Sequence, residues 1–171
     1  MIKMMADPMS ALQSFQKEIF AGMPTVACSD NPKIRVFRDE INGKTRFSYA
    51  RIERGQVKSL AMFVSGRTKK GIPCFDVGYA VAPSWRERGY AKEILTLGIK
   101  ELSLGLSQAT GLSAFWIIAV IGVENYASQS VAKSVISDAY EEVLDELSNL
   151  PALLFTRLIG GEPRAKALRV L

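Results

Sequence analysis

The stretch Val77–Leu102, VGYAVAPSWRERGYAKEILTLGIKEL, constrains the fold more than any other part of the chain. Val77-Gly-Tyr-Ala-Val81 is short, apolar and partly β-branched, and Pro83 closes it, so it reads as a buried strand. From Tyr90 onward, Ile94, Leu95, Leu97 and Ile99 fall on the apolar side of a helical pattern. Between the two, Ser84-Trp-Arg-Glu-Arg-Gly89 is a polar turn whose only glycine stands where the helix begins. A strand, a turn and a helix N-terminus together make an anion site. The first-turn N–H groups lack intrahelical partners, and the helix dipole adds partial positive charge. Arg86 and Arg88 add two fixed positive charges at its mouth. The turn is expected to hold a phosphate group.

The flanking sequence says what kind of sheet this unit joins. Met9–Ala21 carries Leu12, Phe15, Ile19 and Phe20 at helical spacing, with Ser10 available as a cap and Gly22 and Pro24 as the stop. After a loop with Asp30, Asn31 and Pro32, Ile34–Phe37 reads as a strand, and Asn42-Gly43 is a two-residue hairpin signal. Lys44–Glu53 alternates as a second strand and turns at Arg54-Gly55. Val57–Val64 is a third strand, Gly66–Gly71 a basic loop, and Ile72–Val81 the fourth strand of the meander. The central helix is expected to end between Gly105 and Gly111, and Ser113–Val123 follows as a continuous apolar strand that pairs in parallel with Val77–Val81. Asn125–Ile136 reads as a shorter helix capped by Asn125. Tyr140–Leu147 and Leu153–Ile159 read as strands about a turn at Asn149–Pro151, and the segment from Gly160 as a frayed basic end. The fold class is therefore α+β, with a mixed, mostly antiparallel sheet flanked by helices.

At 171 residues the expectation is a single domain over 1–171, with its core at about 34–160. The chain contains no histidine, which removes Ser-His-Asp and Cys-His chemistry, His-ligated zinc and His general bases. Acid–base work falls to Asp, Glu, Tyr, Lys or water. Cys28 and Cys74 have no metal-like spacing and suggest no disulfide framework, so no metal site is expected. The longest apolar run, Leu112–Val123, is too short to span a bilayer, and the N-terminus lacks the apolar core of a signal peptide. A cytoplasmic protein is the simple reading. The net charge of +5 favours anionic partners.

Arg86-x-x-Gly89-x-Ala91, following a strand that ends in Ala-Val-Ala-Pro83, resembles motif A of the GCN5-related N-acetyltransferases (GNAT). Phe115–Val123 with Asn125-Tyr-Ala-Ser128 is similar to that superfamily's motif B, and the likeness extends over about residues 44 to 160. The resemblance implies the acyl-CoA N-acyltransferase fold, here with a shortened N-terminal helical region. The superfamily usually places a strand and two helices there, and only one helix is legible in this chain. It implies that the backbone amides of Arg86, Glu87, Arg88, Gly89, Tyr90 and Ala91 contact the pyrophosphate of acetyl-coenzyme A. Ala80 and Val81 would bond the pantetheine arm as an added strand does, Asn125 would bond the pantetheine or adenosine side of the cofactor, and Ser128 would lie near its thiol. The phosphates of coenzyme A account for the basic charge without nucleic acid.

The activity implied is transfer of an acetyl group from acetyl-CoA to a primary amine in a ternary complex. Asp76 and Glu124 are the candidate bases, and a base near neutral pH needs its pKa raised by burial. Many relatives carry a thiolate-protonating tyrosine where this chain has Ala132; Tyr126 and Tyr140 are the remaining candidates. Plain alternatives stand beside each role: a helix cap for Asn125, a solvated carboxylate for Asp76, packing for the tyrosines. Two other readings of the whole are a non-catalytic CoA-binding or protein-interaction module, and an acyltransferase acting on nucleic acid or aminoacyl-tRNA. A homodimer through Leu153, Leu154 and Phe155 is a further expectation.

Overall fold

A helix opens the part of the chain that the computed structural model describes, residues 7–161. This helix, α1 (Pro8–Phe20), is capped by Asp7, whose carboxylate accepts from the N–H groups of Met9 at 3.4 Å and Ser10 at 3.3 Å. Ser10, the expected cap, lies inside the first turn. Pro8 occupies the first helical position, where the N–H it lacks would have no partner anyway. Leu12 and Phe15 supply the buried stripe.

Five strands follow: β1 (Val26–Ala27), β2 (Ile34–Ile41), β3 (Lys44–Glu53), β4 (Gln56–Lys69) and β5 (Ile72–Val81). The turns Asn42-Gly43, Arg54-Gly55 and Lys70-Gly71 each place both residues at positive φ, between 51° and 77°. That geometry matches the twist of a two-residue hairpin. The expected basic loop over Gly66–Gly71 is corrected here. β4 runs on through Lys69, and a register irregularity between Ser65 and Thr68 absorbs Gly66 and Arg67. The short β1, which the sequence left inside a loop, pairs with the outer edge of β2.

The second half supplies α2 (Tyr90–Thr110), β6 (Ala114–Gly122), α3 (Tyr126–Val135), β7 (Glu141–Leu144) and β8 (Pro151–Gly160). The sheet order is β1-β2-β3-β4-β5-β6-β8-β7, and β5–β6 is the one parallel pair between antiparallel neighbours. Among the described residues, a mixed sheet of eight strands flanked by three helices is the α+β architecture expected. One face carries the larger core, where Phe63, Phe75, Ile94, Leu95, Phe115, Ile117 and Phe155 pack beneath α2 and α3. The other packs Leu12 and Phe15 of α1 on Ala50, Val57, Leu60 and Met62.

Among the described residues α1 is the only helix before β2. No helix of the described residues is long and apolar enough to cross a membrane. The dimer expectation is corrected in its residues: β8 is interior to the sheet, and Leu153 and Phe155 are buried in the core. The basic segment from Glu162 lies outside the described residues.

Candidate functional site

The parallel pair β5–β6 is short. The parallel pairing expected with Val77–Val81 is corrected here: only Cys74–Trp116, Phe75–Ile117 and Asp76–Ile118 are in register, and from Val77 on the strands part. On its other edge β5 stays paired with β4 as far as Val81–Ser59. The peptide groups of β5 after Asp76 that face β6 therefore have no strand partner, which leaves an open edge inside the sheet. Buried Tyr79 stands in this gap, and its hydroxyl donates to the Ser128 carbonyl of α3 at 2.6 Å.

At the wide end of the gap, β5 runs into a 3₁₀ turn (Pro83–Trp85) and then Arg86–Gly89. Gly89 caps α2 at φ 76° and ψ 9°, and no side chain bonds this helix end. A Cβ at Gly89 would meet no atom within 4 Å, so the space beside the helix start is open there. Glycine suits the left-handed conformation that aims the chain into the helix. Arg86, Glu87, Arg88 and Gly89 are exposed, and Tyr90 and Ala91 half-buried. The Arg86 side chain donates to the Val81 carbonyl at 3.4 Å.

The turn rests on residues that the sequence did not single out. Opposite the Arg51–Ile52 step of β3, β4 carries one extra residue, Lys58. Such a bulge re-aims side chains, and Lys58, buried to 8% exposure, lies under the turn instead of against α1. Its ammonium sits 3.9 Å from the centre of the Trp85 ring and 3.3 Å from Glu53. Arg51 pairs with Glu53 at 2.7 Å and Glu93 at 2.6 Å, and stacks 4.7 Å from the Tyr90 ring centre. Bonds from Arg51, then Lys58, hold the Glu53 carboxyl down to about 2. The bulge shifts the alternation so that Val57 and Leu60, three residues apart, both face α1.

Beyond β6, the Asn125 side chain accepts from the Ser128 N–H at 3.1 Å and caps α3. The side-chain amide of buried Gln129 ties the Gly122 and Val123 carbonyls, each at 2.9 Å. A cleft of about 790 Å³ lies between the end of β6 and the β7–β8 hairpin, lined by Val120, Gly122, Glu124, Asn125, Asp145 and Leu150 among others. Its lining includes two carboxylates and neither lysine nor arginine. Hydrogen bonds from Ser148 keep the Asp145 carboxyl below its ordinary range.

The sequence candidates are not gathered in one cavity. Glu124 and Asn125 line the cleft. Asp76 is half-buried at the vertex of the β5–β6 gap, 3.5 Å from Arg67. Burial raises its pKa, and the Arg67 guanidinium opposes that rise. Tyr126 is 74% exposed, and among the described residues its hydroxyl has no hydrogen-bond partner. Tyr140 packs its ring against Phe155 with centroids 5.7 Å apart. Ala132 is fully buried.

No protein-family model and no curated protein matches the sequence. Solved structures do match the architecture. A ribosomal-protein-S5-alanine acetyltransferase from Vibrio fischeri superposes with a TM-score of 0.50 at 14% identity, over 70% of this chain and 63% of its own. RimJ of Mycobacterium smegmatis, in complex with a CoA-disulfide, superposes with a TM-score of 0.51 at 20% identity, over 68% and 54%. The chain has the GNAT acetyltransferase fold. The match spans less than two thirds of the length of either protein. In this GNAT fold the strand, turn and helix legible at residues 77–102 are β5, the Pro83–Gly89 turn and α2, and the parted parallel pair lies beside them.

Proposed function

We propose that the chain is a GNAT-type, acyl-CoA-dependent N-acyltransferase, acting as one domain, that moves an acetyl group from acetyl-CoA to a primary amine in a ternary complex. The observation that carries this reading is the continuity of two features. The open edge of β5 suits an extended amide-bearing arm, and it ends at an uncapped helix N-terminus flanked by two arginines. A pyrophosphate on a pantetheine arm has that shape and charge. In this reading Ala80 and Val81 bond the arm through their main chain. The amides of Arg86, Glu87, Arg88, Gly89, Tyr90 and Ala91 receive the pyrophosphate, and Asn125 and Ser128 border the thiol end.

The thioester then lies toward the vertex, near Asp76. The amine nitrogen bonds to the acyl carbon, the C–S bond breaks, and the nitrogen's proton passes to a carboxylate, directly or through water. Asp76 is the base in this scheme, because burial raises its affinity for a proton. Glu124 and Asp145 draw the acceptor ammonium into the cleft, which carries negative charge although the chain as a whole is basic. Tyr126, exposed to water, is not needed as the acid, since water can protonate the thiolate.

Calorimetric titration with acetyl-CoA, run beside Gly89→Glu, tests the reading. The parent binds and the variant does not, because the new side chain brings bulk, strain at positive φ and negative charge to the pyrophosphate position. A folded parent that binds no acetyl-CoA overturns it.

A further inference from the structure

We propose that Lys58 is a positioning residue for the anion turn, fixing Pro83–Gly89 in the shape that receives pyrophosphate; this rests on the acyl-CoA reading above. Lys58 holds the turn at both ends. Its carbonyl accepts from the Ala82 N–H at 2.9 Å, where the chain leaves β5. Its ammonium meets the Trp85 ring at 3.9 Å, where the 3₁₀ turn ends. The Arg88 guanidinium lies 4.9 Å from the centre of the same ring, so the indole links a buried cation to an exposed one at the site's mouth.

An ammonium buried this far is costly unless paired. Its pairing runs into the helix that receives the anion. Glu53 joins Lys58 to Arg51, and Arg51 joins both to Glu93 in the first turn of α2 and to the face of Tyr90. The turn is thus suspended between a strand bulge and a helix start by charged contacts, with little apolar packing of its own. Most of Arg86–Gly89 is solvent-exposed. An apolar residue at position 58 would fill the space but release the indole and leave Glu53 with one fewer cation. The amides would then have to be ordered when the anion binds, which lowers affinity without touching the reacting atoms.

The test compares Lys58→Met, which keeps the stem and loses the charge, with Lys58→Arg, which keeps both the charge and the ring contact. Each is assayed with acetyl-CoA and with acetyl-pantetheine, which lacks the pyrophosphate. Lys58→Met is expected to raise KM for acetyl-CoA about tenfold, the scale of a desolvated cation–π contact, with kcat little changed. Acetyl-pantetheine turnover should not move, and Lys58→Arg should restore most of the loss. Trp85→Leu, on the outer side of the contact, should copy Lys58→Met and stands in for it if that variant does not fold. Equal KM values for parent and variant, or equal losses with both thioesters, overturn the proposal while leaving the acyltransferase reading intact. A parent that fails to bind acetyl-CoA removes both.

Discussion

The Tyr79 hydroxyl donates to the Ser128 carbonyl at 2.6 Å and so joins β5 to α3 across the gap where β5 and β6 have ceased to pair. Tyr79→Phe keeps the ring and removes the bond. Urea unfolding should show a loss of about 1 kcal/mol, the usual net worth of a buried hydrogen bond. Hydrogen exchange should quicken at the first turn of α3. An unfolding curve and exchange pattern unchanged from the parent would mean the bond does not hold the arms together.

Gly98 and Gly105 both lie inside α2 and should respond to alanine with opposite sign. A Cβ on Gly98 would stand 2.9 Å from a ring carbon of Phe63, which is fully buried and packed edge-on to Tyr49 with centroids 5.8 Å apart. Overpacking of that kind costs about 1–3 kcal/mol, against which alanine regains about 1 kcal/mol of helix propensity. Gly98→Ala should therefore destabilise by about 1 kcal/mol. At Gly105 nothing lies within 4 Å, and Gly105→Ala should stabilise by about 0.5–1 kcal/mol. Thermal melts of the two variants decide the matter.

Local chemistry was legible in the sequence, and long-range register was not. Asn42-Gly43 and Arg54-Gly55 announced their hairpins through residues that tolerate positive φ, and both turns have it. The Val77–Leu102 unit was readable because a closing proline, a lone glycine and a helical apolar stripe lie consecutively. Lys58 was hidden because its position depends on a one-residue slip between β3 and β4, a property of two strands together. The early parting of β5 and β6 was hidden likewise, since both strands read as continuous apolar runs. The basic segment after Gly66 reads as a loop because of its charge, although exposed strand ends carry charge equally well.

Glu124 and Tyr126 stand two residues apart, yet their surroundings assign them different weights. Glu124 lines the acidic cleft, whereas Tyr126 is 74% exposed and outside it. Steady-state kinetics with a responsive amine should show Glu124→Gln raising KM for the amine by about two- to fivefold with kcat nearly constant, as loss of a partly screened ion pair does. Tyr126→Phe should leave kcat within about twofold, because a general acid would cost about a hundredfold or more. A collapse of kcat in Tyr126→Phe would reinstate the tyrosine as the acid.

The acid limb of the pH–rate profile belongs to Asp76 if Asp76 is the base. The carboxylate is the active form, so the rate should fall as pH drops through its pKa. Burial places that pKa above the ordinary aspartate value, while Arg67 and Lys44 pull it down and Glu146 pushes it up. Arg67→Gln removes a cation 3.5 Å away, favours the protonated form and should move the limb to higher pH. Since Arg67 is half exposed, water screens the interaction, and the shift should be small. Glu146→Gln should move the limb the opposite way and by less, because the Glu146 side chain is more exposed than Arg67 and more fully screened by water. Asp76→Asn should lower kcat by about a hundredfold and leave the affinity for acetyl-CoA near that of the parent. A limb that ignores Arg67→Gln and persists in Asp76→Asn would transfer the base to another group.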